Sequence, residues 1–198
     1  MTKFLTKICC AALLLACLPC HAITLRFAPT SQFAATGSPV SAALVISGLG
    51  EGAAPSLGTF DLDVSFDPAI LSFGSAIFGN QLDILGLGSI QALTLGLGVI
   101  NLFELSLDLP SDLDTLQAGS FTLAFLNFDA LAGGTSALGI SVNALGDSLG
   151  DPLLANTQNG SITVTAVPEP STVLLVGIGL LGLVLIGSKS SRQRAGGA

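Results

Sequence analysis

Between residues 23 and 166 the apolar and polar positions alternate with a period of two, and no helical period runs far. Phe60, Leu62, Val64 and Phe66 fall on one side of an extended chain, with Asp61, Asp63 and Ser65 on the other. Phe103, Leu105, Leu107 and Leu109 alternate in the same way with Glu104, Ser106 and Asp108. So do Phe121, Leu123 and Phe125 with Thr122 and Ala124, and Ile162 and Val164 with Ser161, Thr163 and Thr165. Runs of this kind, separated by clusters of Gly, Pro, Asn and Asp, indicate half-buried antiparallel strands. They predict strands over 23–28, 39–48, 58–66, 70–77, 90–97, 99–109, 119–128, 137–144 and 160–166. Short strands in succession without alternating helices indicate a sandwich or jelly roll. Phe60, Phe66, Leu105, Phe121, Phe125 and Val164 are expected to share its core. One short helix is expected, capped by Ser111, with Asp112 and Asp114 in its first turn and Gly119 ending it. The stretch Leu82–Gly98 carries Leu-Gly-Leu-Gly twice, at 85–88 and 95–98. Two copies are too few for a solenoid, so it reads as a glycine-rich hairpin or sheet edge.

Both ends break the alternation. At the N-terminus, Lys3 and Lys7 precede an apolar run from Ile8 to Leu18, and Cys20-His21-Ala22 places small residues three and one positions before a cut. This is the pattern of a secretory signal peptide over 1–22, cleaved after Ala22. The four cysteines, at 9, 10, 17 and 20, all lie before that cut, so the mature segment is expected to hold neither thiol nor disulfide and to rely on its core. A rival reading takes Leu14-Leu15-Ala16-Cys17 as a lipobox, with cleavage before a lipidated Cys17. At the C-terminus, Val167-Pro168-Glu169-Pro170 is followed by 17 uncharged residues, Ser171 to Gly187, and then by Lys189, Arg192 and Arg194. A helix of that length spans roughly 26 Å, close to the thickness of a bilayer's hydrocarbon. The prolines bar the helix from extending backwards, so a transmembrane helix is expected over 171–187. Its basic end is expected in the cytoplasm, with everything before Val167 outside.

Charge narrows the partners. Residues 23–166 contain one basic residue, Arg26, against twelve acids, a net charge of −11. Such a surface repels nucleic acid and anionic headgroups, and it favours solubility. The same segment lacks Cys, Lys, His, Tyr and Trp. Those absences remove Cys–His and Ser–His–Asp catalysis, Schiff-base chemistry and His- or Cys-based zinc sites. A pair of carboxylates for glycoside hydrolysis is formally available, but the acids fall on outward strand phases and turns. Calcium would have to use Asp147 and Asp151, or Asp112 and Asp114. Neither pair follows the spacing of a calcium loop, and turn-forming aspartates account for both. No catalytic residue, metal site or cofactor is therefore expected.

Two resemblances add to this reading. The ordered tetrapeptide, apolar span and basic cluster of 167–194 resemble the PEP-CTERM sorting signal of Gram-negative bacteria. That resemblance implies processing by an exosortase-type membrane protease, through a single-pass precursor in the inner membrane, and display at the cell surface or in the extracellular matrix. The run Phe60 to Phe73, with its Asp67-Pro68 turn, is similar to the strand–turn–strand of cohesin modules. Gly119 to Phe125 and Asn159 to Val164 are similar to two later cohesin strands. Together they imply an all-β fold over 23–166, a cohesin-like antiparallel β-sandwich of jelly-roll type. True cohesins bind dockerins through one sheet face. The expected function is a non-enzymatic surface or matrix protein with an adhesion or binding domain, its partners exopolysaccharide or surface proteins. The alternative is a secreted carboxylate-dependent hydrolase with the same tail, which would require two carboxylates to converge in a cleft.

Overall fold

The computed structural model describes residues 22–166 and, beyond them, Val176, Ile178 and Leu180, which are helical. The signal sequence before Ala22, the tetrapeptide Val167–Pro170, the basic residues Lys189, Arg192 and Arg194, and all but three positions of the 171–187 span lie outside the described residues. Among the described residues no helix is long and apolar enough to cross a membrane.

The period-two segments form strands. In chain order they are β1 (Ile23–Ala28), β2 (Ser31–Ala35), β3 (Pro39–Ser47), β4 (Leu57–Ser65), β5 (Leu71–Phe78), β6 (Ser89–Gly96), β7 (Val99–Ser106), β8 (Ser120–Ala130), β9 (Gly134–Asp147), β10 (Ala155–Gln158) and β11 (Gly160–Thr165). One helix, α1 (Pro110–Leu116), lies between β7 and β8. The strands make two sheets, one ordered β10-β1-β3-β8-β5 and the other β2-β11-β9-β4-β7-β6. Most neighbours are antiparallel, but β1 pairs with β10 and β2 with β11 in parallel. The all-antiparallel expectation therefore fails along one flank. Two strands, β2 and β10, are additional to the nine expected. Both are short and neither contains a fully buried position, so neither carries a buried alternation to read.

The inner faces of the two sheets supply one core. Leu25 and Phe27 of β1, Leu44 and Ile46 of β3, Phe60, Leu62 and Val64 of β4, and Ile100 and Leu102 of β7 are fully buried. Each such side chain contributes about 1.5–3 kcal/mol by leaving water. Phe128 anchors one end, with the rings of Phe66 and Phe73 at 5.4 and 5.8 Å from its own. Among the described residues every member of this cluster lies between Ile23 and Val164, so the sandwich holds a core of its own.

Of the six residues expected in the core, Phe60 and Val164 are buried, and Phe66 and Phe121 pack half-buried against it. Leu105 and Phe125 are exposed instead. In β8 the cause is a bulge. Leu44 pairs with Ala124 and Val45 with Thr122, so Leu123 has no partner and the inward phase moves from odd to even positions. Leu126, Phe128 and Ala130 then point inward and Phe125 outward. In β7 the inward residues are Ile100, Leu102 and Glu104, opposite in phase to the expected Phe103 and Leu105.

The turn at Asp67-Pro68 forms as its chemistry requires. The Asp67 carboxylate accepts the Ala69 N–H at 2.9 Å, and its carbonyl accepts those of Ile70 and Leu71. The helix begins two residues earlier than expected, its N-cap at Leu109 in place of Ser111. Leu109 occupies the N-cap without a side-chain bond and Pro110 opens the first turn, where its missing N–H costs nothing. Gln117, rather than Gly119, closes it. At the flank, Gly160 lies against Phe27. A Cβ there would lie 3.0 Å from the Phe27 side chain and from the Thr30 carbonyl, tighter than ordinary van der Waals contact, so glycine eases this approach.

Candidate binding face

The outer face of the six-stranded sheet carries a graded surface. Outward positions of β4 are Thr59, Asp61, Asp63 and Ser65, whose burial alternates with the buried Phe60, Leu62 and Val64. β7 adds Asn101, Phe103 and Leu105, opposite Asp63, Asp61 and Thr59 in register. β6 adds Ile90 and Ala92 opposite Leu105 and Phe103. The face thus runs from carboxylates and amides in its middle to exposed apolar side chains at the β6 edge.

One amide organises the middle. Asn101 Nδ2 donates to Asp61 Oδ1 at 2.6 Å and to Asp63 Oδ1 at 2.8 Å. Asn143, the unpaired residue where β9 shifts register against β4, donates to the same Asp61 oxygen at 3.2 Å. Two carboxylates and two amides are therefore fixed on an open sheet surface, with acceptors left facing solvent. At one end of this row is a depression of about 330 Å³ lined by Asp63, Ser65, Val99, Gly139, Ile140, Ser141 and Asn159. Asn159 is held there by the Ile140 N–H, which donates to its Oδ1 at 3.2 Å.

The remaining acids divide into turn builders and buried groups. Asp147 Oδ1 accepts the N–H groups of Leu149 and Asp151, both at 2.9 Å, so the 147–151 loop folds about its own aspartate. Asp114 accepts hydroxyls from Ser56 and Ser148 and ties the helix to two loops. Among the described residues no group of three or more His, Cys, Asp or Glu side chains is placed to hold a metal ion.

Two acids contradict the expectation that all face outward or sit in turns: Glu104 and Asp108 are both buried. Glu104 faces inward beneath β6, where Ser89 Oγ and Gln91 Nε2 donate to its Oε1 at 2.7 and 2.9 Å. Burial pushes its carboxyl above the usual range, the negative charge of Asp83 adds to the rise, and the bonds from Ser89 and Gln91 oppose it. Asp108 Oδ2 accepts the Ile84 N–H at 2.7 Å, while its Oδ1 has no partner. Sequence phase missed both because the alternation in 99–109 contains apolar residues in both registers.

Ala22, the expected cleavage position, precedes β1, and its carbonyl accepts the Thr24 hydroxyl at 3.3 Å.

Comparison with known proteins bears on both parts of the chain. Residues 166–189 match the PEP-CTERM protein-sorting motif. The match takes in the tetrapeptide, the apolar run and Lys189, and ends before Arg192 and Arg194. A motif of this kind marks an exported protein. No curated protein matches the sequence. The sandwich is similar to solved cohesin structures. The non-cellulosomal cohesin of the archaeon Archaeoglobus fulgidus is 18% identical over 76% of this chain and 95% of its own, with a TM-score of 0.56. A type I cohesin from Pseudobacteroides cellulosolvens is 15% identical over 75% and 96%, with a TM-score of 0.59. A chain of a type I cohesin–dockerin complex from Clostridium thermocellum is 9% identical over 73% and 99%, with a TM-score of 0.60. The fold is cohesin-like, and the chain joins it to a sorting tail.

Proposed function

We propose that this chain is an exported, non-enzymatic binding protein, sorted by its tail and displayed at the cell surface or in the extracellular matrix. The observation that carries the reading is the direct succession of a cohesin-like sandwich ending at Thr165 and a sorting motif beginning at residue 166. Cohesin-like neighbours include one solved in complex with a dockerin, so recognition of a protein or polysaccharide partner is the natural use of such a sandwich. The outer face of β9, β4, β7 and β6 is its binding surface, with Asp61, Asp63, Asn101 and Asn143 as the polar contacts. Hydrolysis is disfavoured, since Asp61 and Asp63 converge on an open sheet rather than in a cleft that could exclude water.

The tail completes the proposal. Cleavage after Ala22 frees the N-terminus, residues 171–187 span the inner membrane, and Lys189, Arg192 and Arg194 hold the cytoplasmic end. Pro168 and Pro170 keep Glu169 in an extended segment just outside the bilayer, where an exosortase-type protease reads Val167–Pro170. Capture of exopolysaccharide and surface proteins on immobilised 22–166 tests the binding role. Capture should fall at least about tenfold in an Asp61→Ala, Asn101→Ala variant, the loss expected when contacts at the centre of an interface are removed. Equal capture by the variant removes the face from the proposal. For the tail, replacing Pro168, Glu169 and Pro170 with alanine should leave membrane insertion intact and trap the full-length precursor. Release of that variant at the wild-type rate would reduce the tail to an anchor.

A further inference from the structure

The two sheets leave four edge strands, β10, β5, β2 and β6. Three are blunted in the ways that keep edges from pairing. β10 has four residues and β2 has five. β5 is interrupted by a bulge at Gly74. The fourth, β6, has none of these defences. It pairs with β7 in unbroken register from Ser89 to Gly96. It contains no proline and no charge, and the uncharged stretch runs from Ile84 to Phe103. Among the described residues its other side has no strand partner and leaves backbone N–H and C=O groups unpaired, and Ile90, Leu93 and Leu95 are 50, 42 and 58% exposed along it.

From this edge we infer that the sandwich forms a symmetric dimer in which β6 of one copy pairs antiparallel with β6 of a second. The chemistry selects that occupant. A free strand edge is completed by another strand, and its unpaired groups recognise backbone, not a particular side chain. Residues 23–166 carry a net charge of −11, so a second copy is repelled from the acidic faces. The neutral stretch around β6 is where two such chains meet without that cost. β6 offers no charge with which to select a charged partner, and an isologous pairing satisfies both free edges at once.

The geometry has a further consequence. A twofold axis perpendicular to the sheet requires opposed residues to share a face. A pairing centred on Ala92 places Ile90 opposite Thr94 and Gln91 opposite Leu93. The two six-stranded sheets then become one twelve-stranded sheet. Both outer faces lie on the same side, so the assembly presents the Asp61–Asp63–Asn101 row twice. The dimer itself does not depend on what that face binds.

Sedimentation velocity on segment 22–166, from micromolar to sub-millimolar concentration, should show a monomer–dimer equilibrium. Ala92→Glu with Thr94→Glu, both at exposed positions, should shift it to monomer with the circular dichroism spectrum unchanged and a melting temperature close to that of the wild type at dilution, where it too is monomeric. A second measurement covers the case in which that variant misfolds. The segment has no cysteine of its own. Under oxidation Ala92→Cys should form disulfide-linked dimers at least about tenfold faster than Thr157→Cys on the β10 edge, since pairing raises the effective concentration of the two thiols. A wild-type segment that stays monomeric, a glutamate variant that folds and still dimerises, or equal crosslinking at the two edges would overturn the inference.

Discussion

Glu104 sits where a strand's phase would ordinarily place a leucine. The two residues before it along the inward row of β7, Ile100 and Leu102, are fully buried, and the carboxyl joins them beneath β6. Burial raises its pKa in the folded state, so the protonated form is the one the fold favours. The contribution to stability is then fully present below the unfolded glutamate pKa and is lost as pH rises through the folded value. Glu104→Gln should match the wild type in urea denaturation near pH 4 and exceed it in stability toward neutral pH. A wild-type advantage at neutral pH would show that the Ser89 and Gln91 bonds outweigh desolvation. The phenylalanines give a second comparison at this scale. Phe60→Ala should cost about 3–5 kcal/mol, because the ring is fully buried. Phe125→Ala should cost under about 1 kcal/mol, because the bulge at Leu123 turns that ring outward. Chemical denaturation of both variants measures the difference.

At the scale of the element, nine strands were legible in the sequence, most of them because they bury one face, whereas β6 is exposed along nearly its whole length. The alternation could not find β2 and β10, whose pairing is set by partners more than a hundred residues away. Nor could it place the phase of 99–109, where Ile100 and Leu102 compete with Phe103 and Leu105 for the core and only the packing of the second sheet decides. The polar row was legible in part. Asp61 and Asp63 were evident as outward residues, while their clamps, Asn101 and Asn143, became visible only with cross-strand register. Gln117 was invisible for a similar reason. Its side chain stands in for a strand partner, accepting the Leu57 N–H at 2.6 Å and donating to the carbonyls of Leu57 and Gln81 at 2.9 Å. Nothing in its neighbourhood along the chain signals that role. Gln117→Leu should leave those buried backbone groups unpaired and cost about 2–4 kcal/mol, measured by the denaturation midpoint.

For the molecule as a whole, the two parallel pairs at one flank have a mechanical consequence. Segments 23–28 and 31–35 run beside 155–158 and 161–165 in the same direction, each crossing from one sheet to the other. The chain therefore enters this flank at one end and leaves it at the other, roughly 30 Å away at the usual rise per strand residue. Tension applied at Thr165 pulls β11 along its own axis, and β11 is gripped on both sides, by β2 and by β9, with five paired residues to each. Those bonds are strained together in shear instead of parting one after another. Force spectroscopy with handles at residues 22 and 165 should therefore require a high rupture force. Handles at Ser89 and Ser106, which face one another at the open end of the β6–β7 hairpin, should peel that hairpin apart at a much lower one. A sandwich loaded through β11 in this way resists tension along that strand, while the same sheet stays easy to open at its far edge.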